Sequence, residues 1–353
     1  MQIASVGRAF PAHYYDQEQL LGALRGYWMQ QHHNPERLER LHRNVKVGGR
    51  YLALPLEEYP DLTSFGDAND AWVRVALEVG AAAIQDGLEL AALDVEQVDA
   101  LFTVTVTGVA TPSLDARLMN LLKLPSNVKR VPIFGLGCVA GAAGIARAAD
   151  YVRAYPDQVA VLLSVELCSL TLQRQDLSIP NLIATGLFGD GAAAVVVAGA
   201  EVELSSPRPA PRIEATRSVF YEETEHVMGW DVTERGFGIV LSADVPHMVT
   251  DHLGADVDSF LQDHGLDRSD VDAWICHPGG PKVLQAMEKS LGLAREDLAL
   301  TWRSLEEVGN LSSTSVLLVL RDTLEERRVA AGRHAMLLAM GPGFCSELVL
   351  LRF

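Results

Sequence analysis

Cysteine is scarce in this chain: four in 353 residues, at Cys138, Cys168, Cys276 and Cys345. None forms a C-x-x-C pair, so the spacing excludes a disulfide framework and a structural zinc site, and no metal is expected. Basic charge is also short. Lys and Arg number 29 against 46 Asp and Glu, a net charge of −17. A nucleic-acid binder needs a basic face, so no nucleic-acid partner is expected. No run reaches the roughly 18 uninterrupted apolar residues of a membrane span. The opening MQIASVGRAF lacks a basic region followed by a long apolar core, so no secretory leader is expected and the expected location is cytoplasmic. What these absences leave is a packed globular protein, 48% hydrophobic, long enough for two substantial lobes.

The chain is written twice. DVEQVDALFTVTVTG at 94–108 and DRSDVDAWICHPGG at 267–280 share Asp, three residues, then Val-Asp-Ala and an apolar run ending in glycine. The offset from Asp94 to Asp267 is 173. ARLMNLLKL then parallels LQAMEKSLGL, Gly137-Cys138 parallels Gly309-Asn310, and QVAVLLSVE parallels RHAMLLAMG. Four phrases in one order at a nearly constant offset argue for duplicated halves. Buried β-branched runs such as GAAAVVVAG alternate with helical patterns such as AGAAGIARAADYVRAY, which implies an α/β fold with sheets covered on both faces. The lobe boundary is expected in the Pro- and Ser-containing stretch SSPRPAPR at 205–212, giving lobes at 1–204 and 205–353. On this reading Cys138 and Asn310 hold equivalent places in the two copies and face each other across one cleft.

FGLGCVAGAAG at 134–144 places one thiol among small residues where an extended run turns into a helix. Unpaired N–H groups at a helix start favour a thiolate, and glycines let a substrate approach the sulfur. The bland alternative is a buried cysteine in a tight helix crossing. WICHPGG places His277 at the end of a second apolar run, and EEVGNLSSTS places Asn310 at a helix start, where it could equally be an N-cap. Together, thiol, imidazole and carboxamide form a coherent nucleophilic set.

Carried on GCVAG, CHPGGPKVL and GNLSSTSV, with LFGDGAAAVVV at 187–197 and MGPGFCSE at 340–347, the chain resembles the type III polyketide synthases, the chalcone-synthase-like branch of the thiolase superfamily. The resemblance spans nearly the whole sequence. HPGG sets it apart from ketoacyl synthase III enzymes, and no catalytic glutamate of the hydroxymethylglutaryl-CoA synthase kind can be placed near the thiol. The resemblance implies a thiolase-like fold of two duplicated lobes, mixed sheets covered by helices in αβαβα layers, and a homodimer. It implies an acyltransferase with Cys138, His277 and Asn310 as catalytic residues, acyl-CoA and malonyl-CoA as substrates, and no cofactor beyond these coenzyme A thioesters.

The same resemblance makes Phe188 a gatekeeper, although a core aromatic is the bland reading, and puts Ile239 where a second gatekeeper phenylalanine is usual. Thr107, Thr111, Cys168, Thr171 and the Met340-Gly341-Pro342-Gly343 segment fall at gate or cavity positions, Thr111 in place of a methionine that in plant members reaches the partner subunit. Arg37 and Arg40, at helical spacing in NPERLERLHRN, match coenzyme A phosphate ligands or else form a solvated helix face. Lys282 lines the same tunnel. Small cavity residues suggest a long-chain fatty acyl starter and an alkylpyrone or alkylresorcinol product. The competing readings are a ketoacyl synthase III-like enzyme making one condensation, and a non-catalytic thiolase-fold assembly subunit.

Overall fold

The structure, a computed structural model, describes residues 1–28, 35–206, 210–326 and 329–353. In chain order the first half contains β1 (Gln2–Ala9), β2 (His13–Asp16), α1 (Gln17–Trp28), α2 (Pro35–Asn44), β3 (Gly49–Leu52) and α3 (Phe65–Ala91). It continues with β4 (Ala100–Thr105), α4 (Leu114–Leu122), β5 (Lys129–Phe134), α5 (Ala140–Ala154), β6 (Val159–Leu167), α6 (Ile179–Leu187) and β7 (Asp190–Ala198). The second half opens with β8 (Arg212–Phe220), β9 (Met228–Thr233), β10 (Gly236–Leu241), α7 (Val245–Met248) and α8 (Gly254–Gln262). It closes with β11 (Val271–Cys276), α9 (Pro281–Leu291), α10 (Ala299–Val308), α11 (Ser315–Glu326), β12 (His334–Gly341) and β13 (Cys345–Arg352). The expected boundary at 204/205 falls on the link between β7 and β8, of which residues 207–209 lie outside the described residues.

Nine strands run in the order β11-β12-β13-β8-β1-β7-β6-β4-β5. The duplication is visible in the pairing. Parallel β4–β6, antiparallel β6–β7 and antiparallel β7–β1 are repeated as parallel β11–β12, antiparallel β12–β13 and antiparallel β13–β8. Among the described residues β5 has no counterpart in the second half. The two mixed sheets expected from the sequence join edge to edge, because β1 meets β8 at the single pair Gln2 and Arg212.

Alternation along the strands builds the layers. In β6, Val159, Val161, Leu163 and Val165 pack with Trp72, Val75, Val79 and Ile84 of α3, while Ala160 and Leu162 face α5 and α11. In β12, Ala335, Leu337 and Ala339 face the same two helices, whereas Met336, Leu338 and Met340 pack with Phe260 of α8, Met287 of α9 and Trp302 of α10. The result is αβαβα, with α5 and α11 sealed between the two halves of the sheet. Val316 to Leu320 of α11 are buried all round, as a central helix requires.

α5 lies close to the start of α11 because its facing residues are small. A Cβ built on Gly141 of α5 would stand 2.3 Å from the Ser313 carbonyl oxygen and 2.8 Å from Val316 Cγ1. Only glycine lets α5 approach the start of α11 so closely. Gly141→Ala should therefore cost about 1–3 kcal/mol of stability through overpacking, measured as a fall of several degrees in Tm by calorimetry.

Candidate active site

Cys138 sits where β5 gives way to α5. The chain bends through Gly135 (φ 99°) and Gly137 (φ 57°), both in the left-handed region that favours glycine. A Cβ on Gly137 would also stand 2.6 Å from Pro342 Cγ, so the Met340–Gly343 segment packs directly on the turn that carries the thiol. The short turn Gly137–Val139 then leads into α5.

His277 follows the last residue of β11. Its N–H donates to the Leu338 carbonyl at 3.0 Å, and its own carbonyl accepts from Gly279 N–H at 2.9 Å. The backbone is pinned, but neither ring nitrogen has a partner although the residue is buried. Asn310 is pinned more firmly. Its N–H donates to Leu187 O at 2.9 Å, and its carbonyl accepts from Gly189 N–H at 3.0 Å. Its Oδ1 accepts from Ser312 N–H at 2.8 Å, the cap reading in part, which aims Nδ2 away with only a 3.4 Å contact to Gly279 O.

These three side chains line one recess of about 30 Å³, otherwise walled by apolar groups including Met228, Leu241, Met287, Met340 and Phe344. The equivalence expected between Cys138 and Asn310 needs correction. The turn Gly137–Val139 that opens α5 corresponds to Ser312–Thr314, which opens α11. Ser313 is therefore the copy of Cys138, and Asn310 stands three residues before it.

Phe188 lines this recess and also a second chamber of about 100 Å³. Ile239, Cys168 and Thr171 line that chamber, with Leu20, Tyr59, Trp230 and Phe237. Two expected cavity residues lie elsewhere. Thr107 is buried, and its hydroxyl is committed to Glu166 at 2.9 Å, Leu167 N–H at 3.0 Å and Trp72 Nε1–H at 3.2 Å. Thr111 is exposed in the loop before α4, away from both cavities of its own chain. Arg37 and Arg40 are exposed on α2, whose inner residue Leu38 packs with Leu182 of α6, the helix that runs up to Phe188. Lys282 is exposed in the first turn of α9, close in sequence to His277.

Electrostatics here departs from the expectation of a low-pKa thiol at a helix start. Burial pushes the Cys138 thiol up to about 12, opposed by a hydrogen bond from Ser312 and reinforced by Glu166. Burial pushes the His277 imidazole down to about 3. In such surroundings burial alone keeps each group neutral at pH 7.

The sequence reading passed over Glu166. It lies on β6, on the face turned toward α5 and α11, fully buried. It accepts hydrogen bonds from Val106 N–H at 3.1 Å and Thr107 Oγ1 at 2.9 Å, and from Ser313 Oγ. The signal was present: a carboxylate inside the apolar run VAVLLSVEL has no place in a buried strand unless something holds it. Cys276, by contrast, is simply buried in β11. Among the described residues no group of three or more His, Cys, Asp or Glu could hold a metal ion, and no helix is long and apolar enough to cross a membrane.

A five-layer duplicated fold with a thiol, an unpartnered imidazole and a carboxamide around one apolar recess defines a thiolase-type condensing enzyme, an acyltransferase. Two family models match: chalcone and stilbene synthases, N-terminal domain, over residues 1–201, and the C-terminal domain of the same family over residues 212–353. The chain belongs to this family, the type III polyketide synthases. It is 49% identical to a 1,3,6,8-tetrahydroxynaphthalene synthase of Streptomyces peucetius subsp. caesius, over 99% of this chain and 93% of that protein. It is 39% identical to a putative chalcone synthase of Bacillus subtilis (strain 168), over 99% of this chain and 97% of that one. The crystal structure of the 1,3,6,8-tetrahydroxynaphthalene synthase of Streptomyces coelicolor A3(2), a bacterial type III polyketide synthase, superposes with a TM-score of 0.93. The two are 32% identical, over 100% of this chain and 99% of that chain.

The buried imidazoles make stability pH-dependent. His277 is held near 3, and His42 is lowered to about 4 by burial and by Arg50, against 6.5 unfolded. Such groups stabilise the fold above the unfolded value, and that contribution is lost as pH falls below it. Glu166 and Asp190, raised by burial, act in the opposite sense, so the test is a difference. The stability of wild type relative to His277→Gln should shrink as pH falls from 7 to 5, measured by denaturant titration at each pH.

Proposed function

We propose that the protein loads a CoA-linked starter on Cys138, extends it with malonyl-CoA, and releases a cyclised polyketide. The observation that supports this reading most strongly is the convergence of the thiol, the unpartnered imidazole and the outward-aimed carboxamide on one apolar recess. The Cys138 thiolate attacks the starter thioester, and the CoA thiolate leaves. A malonyl thioester then places its carbonyl oxygen between His277 and Asn310 Nδ2. As carbon dioxide leaves, negative charge builds on that oxygen, and two fixed donors out of water stabilise the enolate. The enolate carbon attacks the acyl group on Cys138, the sulfur departs, and the lengthened chain rides on CoA. The proposal needs no cofactor beyond the CoA thioesters. It puts the CoA phosphates near Arg37 and Arg40, with Lys282 along the way in.

This division of labour is testable. Cys138→Ala should still decarboxylate malonyl-CoA but form no condensation product. Asn310→Ala should lose about 10²–10³-fold in decarboxylation, the usual effect of removing one oxyanion donor. Headspace carbon dioxide and product mass report the two steps separately.

We further propose a compact starter, with malonyl units supplying most of the product. The chamber of about 100 Å³ holds roughly seven to ten water-sized volumes at about 10–15 Å³ each. Its walls include the rings of Tyr59, Phe188, Trp230 and Phe237, which suit a flat, hydroxylated aromatic. The relatives named as tetrahydroxynaphthalene synthases support the same reading. The fatty acyl starter with an alkylpyrone or alkylresorcinol product is the second reading, and one observation favours it. An open groove beyond the chamber shares Tyr59, Ser169, Thr171, Leu172, Arg174 and Phe237 with it, which gives a long chain a way out. Supplying acyl-CoAs of increasing length with malonyl-CoA decides between them. The compact reading expects product from malonyl-CoA alone and falling turnover beyond short chains; rising turnover with chain length would favour the second.

A homodimer and a cytoplasmic location belong to the same proposal. β5 is an edge strand with Phe134 exposed, and α4, which packs on it, exposes Leu121. These apolar groups suit a second copy of the chain.

A further inference from the structure

We propose that Tyr59, Ser169 and Asp190 form a proton relay in the wall of the larger chamber, and that this relay closes carbon–carbon rings. Tyr59 takes a proton from a methylene between two carbonyls of the extended chain and returns it to the oxygen formed on closure. This rests on the reading of the protein as a synthase of cyclised polyketides. It adds a second catalytic site, in the chamber that Cys138 does not line.

Three segments meet here. Tyr59 lies on the short turn Leu56–Asp61, Ser169 on the turn Cys168–Thr171 that follows β6, and Asp190 opens β7. Tyr59 and Ser169 line the chamber and the open groove beyond it, whereas Asp190 is fully buried and lines neither. Asp190 Oδ1 accepts from Ser169 N–H at 2.8 Å, and Oδ2 accepts from Ala53 N–H at 2.6 Å and from the Ser169 hydroxyl. A serine hydroxyl has one proton to give. Ser169 gives its own to the carboxylate, so in the hydrogen bond between Tyr59 and Ser169 the phenol donates to Ser169 Oγ. The chain of donors therefore runs one way, from the chamber wall to the buried carboxylate. The Tyr59 oxygen is left with acceptor capacity, met in part by a long 3.4 Å contact from Leu54 N–H.

The chamber needs such a link because its own wall holds no carboxylate and no imidazole. Among the described residues its titratable lining is Arg50, Tyr59, Cys168 and Arg174. Arg50 of β3 is buried, and its Nη groups donate to Gln17 Oε1, Gly186 O and Thr185 O, while Nε has no partner. A positive charge at this wall favours an enolate. Arg174 is bound to the carbonyls of Tyr59, Pro60 and Leu62. Burial keeps the Cys168 thiol protonated, and Tyr15 of β2 acts on Tyr59 only as a neutral phenol. Burial also raises Tyr59 well above the ordinary phenol value, so it passes a proton on rather than holding charge. Asp190 is raised by burial to about 6, against the pull of Ser169, Ala53 N–H and Arg50. It is ionised at pH 7, yet close enough to that pH to serve as a base.

The step balances without another reagent. A methylene C–H bond breaks and an O–H bond forms on Tyr59, as the Tyr59 proton passes to Ser169 and the Ser169 proton to Asp190. The negative charge moves from the carboxylate to the enolate. The enolate carbon attacks a carbonyl carbon further along the chain, a C–C bond forms, and the charge moves to that carbonyl's oxygen. The alkoxide takes its proton from Tyr59, the relay runs back, and Asp190 is a carboxylate again.

The test reads extension and closure separately, with malonyl-CoA alone and with hexanoyl-CoA added as starter. Carbon dioxide released measures extension. The ratio of carbocyclic to lactone products among equally extended chains, resolved by chromatography and mass spectrometry, measures closure, since a lactone closes through an enol oxygen. Tyr59→Phe should lower that ratio about 10²-fold, the low end of what a positioned base contributes. Ser169→Ala should lower it as well, and Ser169→Thr, which restores a hydroxyl, should recover it. The wild-type ratio should fall as pH drops through about 6, where Asp190 takes up its proton, and Tyr59→Phe should abolish that step. A cluster that only held the fold would shift Tm or total turnover and leave the ratio alone. A Tyr59→Phe ratio equal to that of wild type, with its pH step intact, would overturn the proposal. So would a wild type that extends chains and closes only lactones, which leaves the condensation reading standing. No carbon dioxide from wild type would overturn both, and shows in the first readout.

Discussion

Two backbone hydrogen bonds cross from Leu187 and Gly189 to Asn310, at 2.9 and 3.0 Å, and tie the segment after α6 to the segment before α11. The first segment carries Phe188 and belongs to the first half of the chain; the second carries the carboxamide and belongs to the second half. Phe188 and the Asn310 carboxamide are thus held near each other by main-chain hydrogen bonds. The same economy appears at the thiol, where Gly137 accepts Pro342 from the other half. Preorganised donors act in catalysis because they need not move when charge appears. Here the two halves are tied by these main-chain contacts and by the close approach of α5 to the start of α11 at Gly141.

Burial is the second constraint, and it acts against the resting nucleophile. The apolar recess raises the thiol and lowers the imidazole. The site is neutral until a proton moves inside it.

Much of this was legible in the sequence for physical reasons. Repeated strand phrases had to reappear as repeated pairing, and β4–β6–β7–β1 does recur as β11–β12–β13–β8. Cys138 at a glycine-flanked turn and His277 at a strand end were visible because tight backbone needs glycine nearby. What was not legible depends on side-chain direction. The offset matched Asn310 to Cys138, but the helix turns match Ser313 to it. Thr107 looked like a cavity residue, yet its hydroxyl turns to Glu166. The sign of the thiol's shift was missed because a helix terminus can be read locally, whereas desolvation depends on everything packed above it.

β13 lies between β12 and β8 although it is the last strand in chain order, and the Pro342 contact at the thiol belongs to the loop just before it. During synthesis the sulfur at 138 emerges long before the segment that closes over it. The recess around the thiol is therefore walled completely only once the last hairpin, β12 and β13, has been made, because Met340 and Phe344 are among its walls.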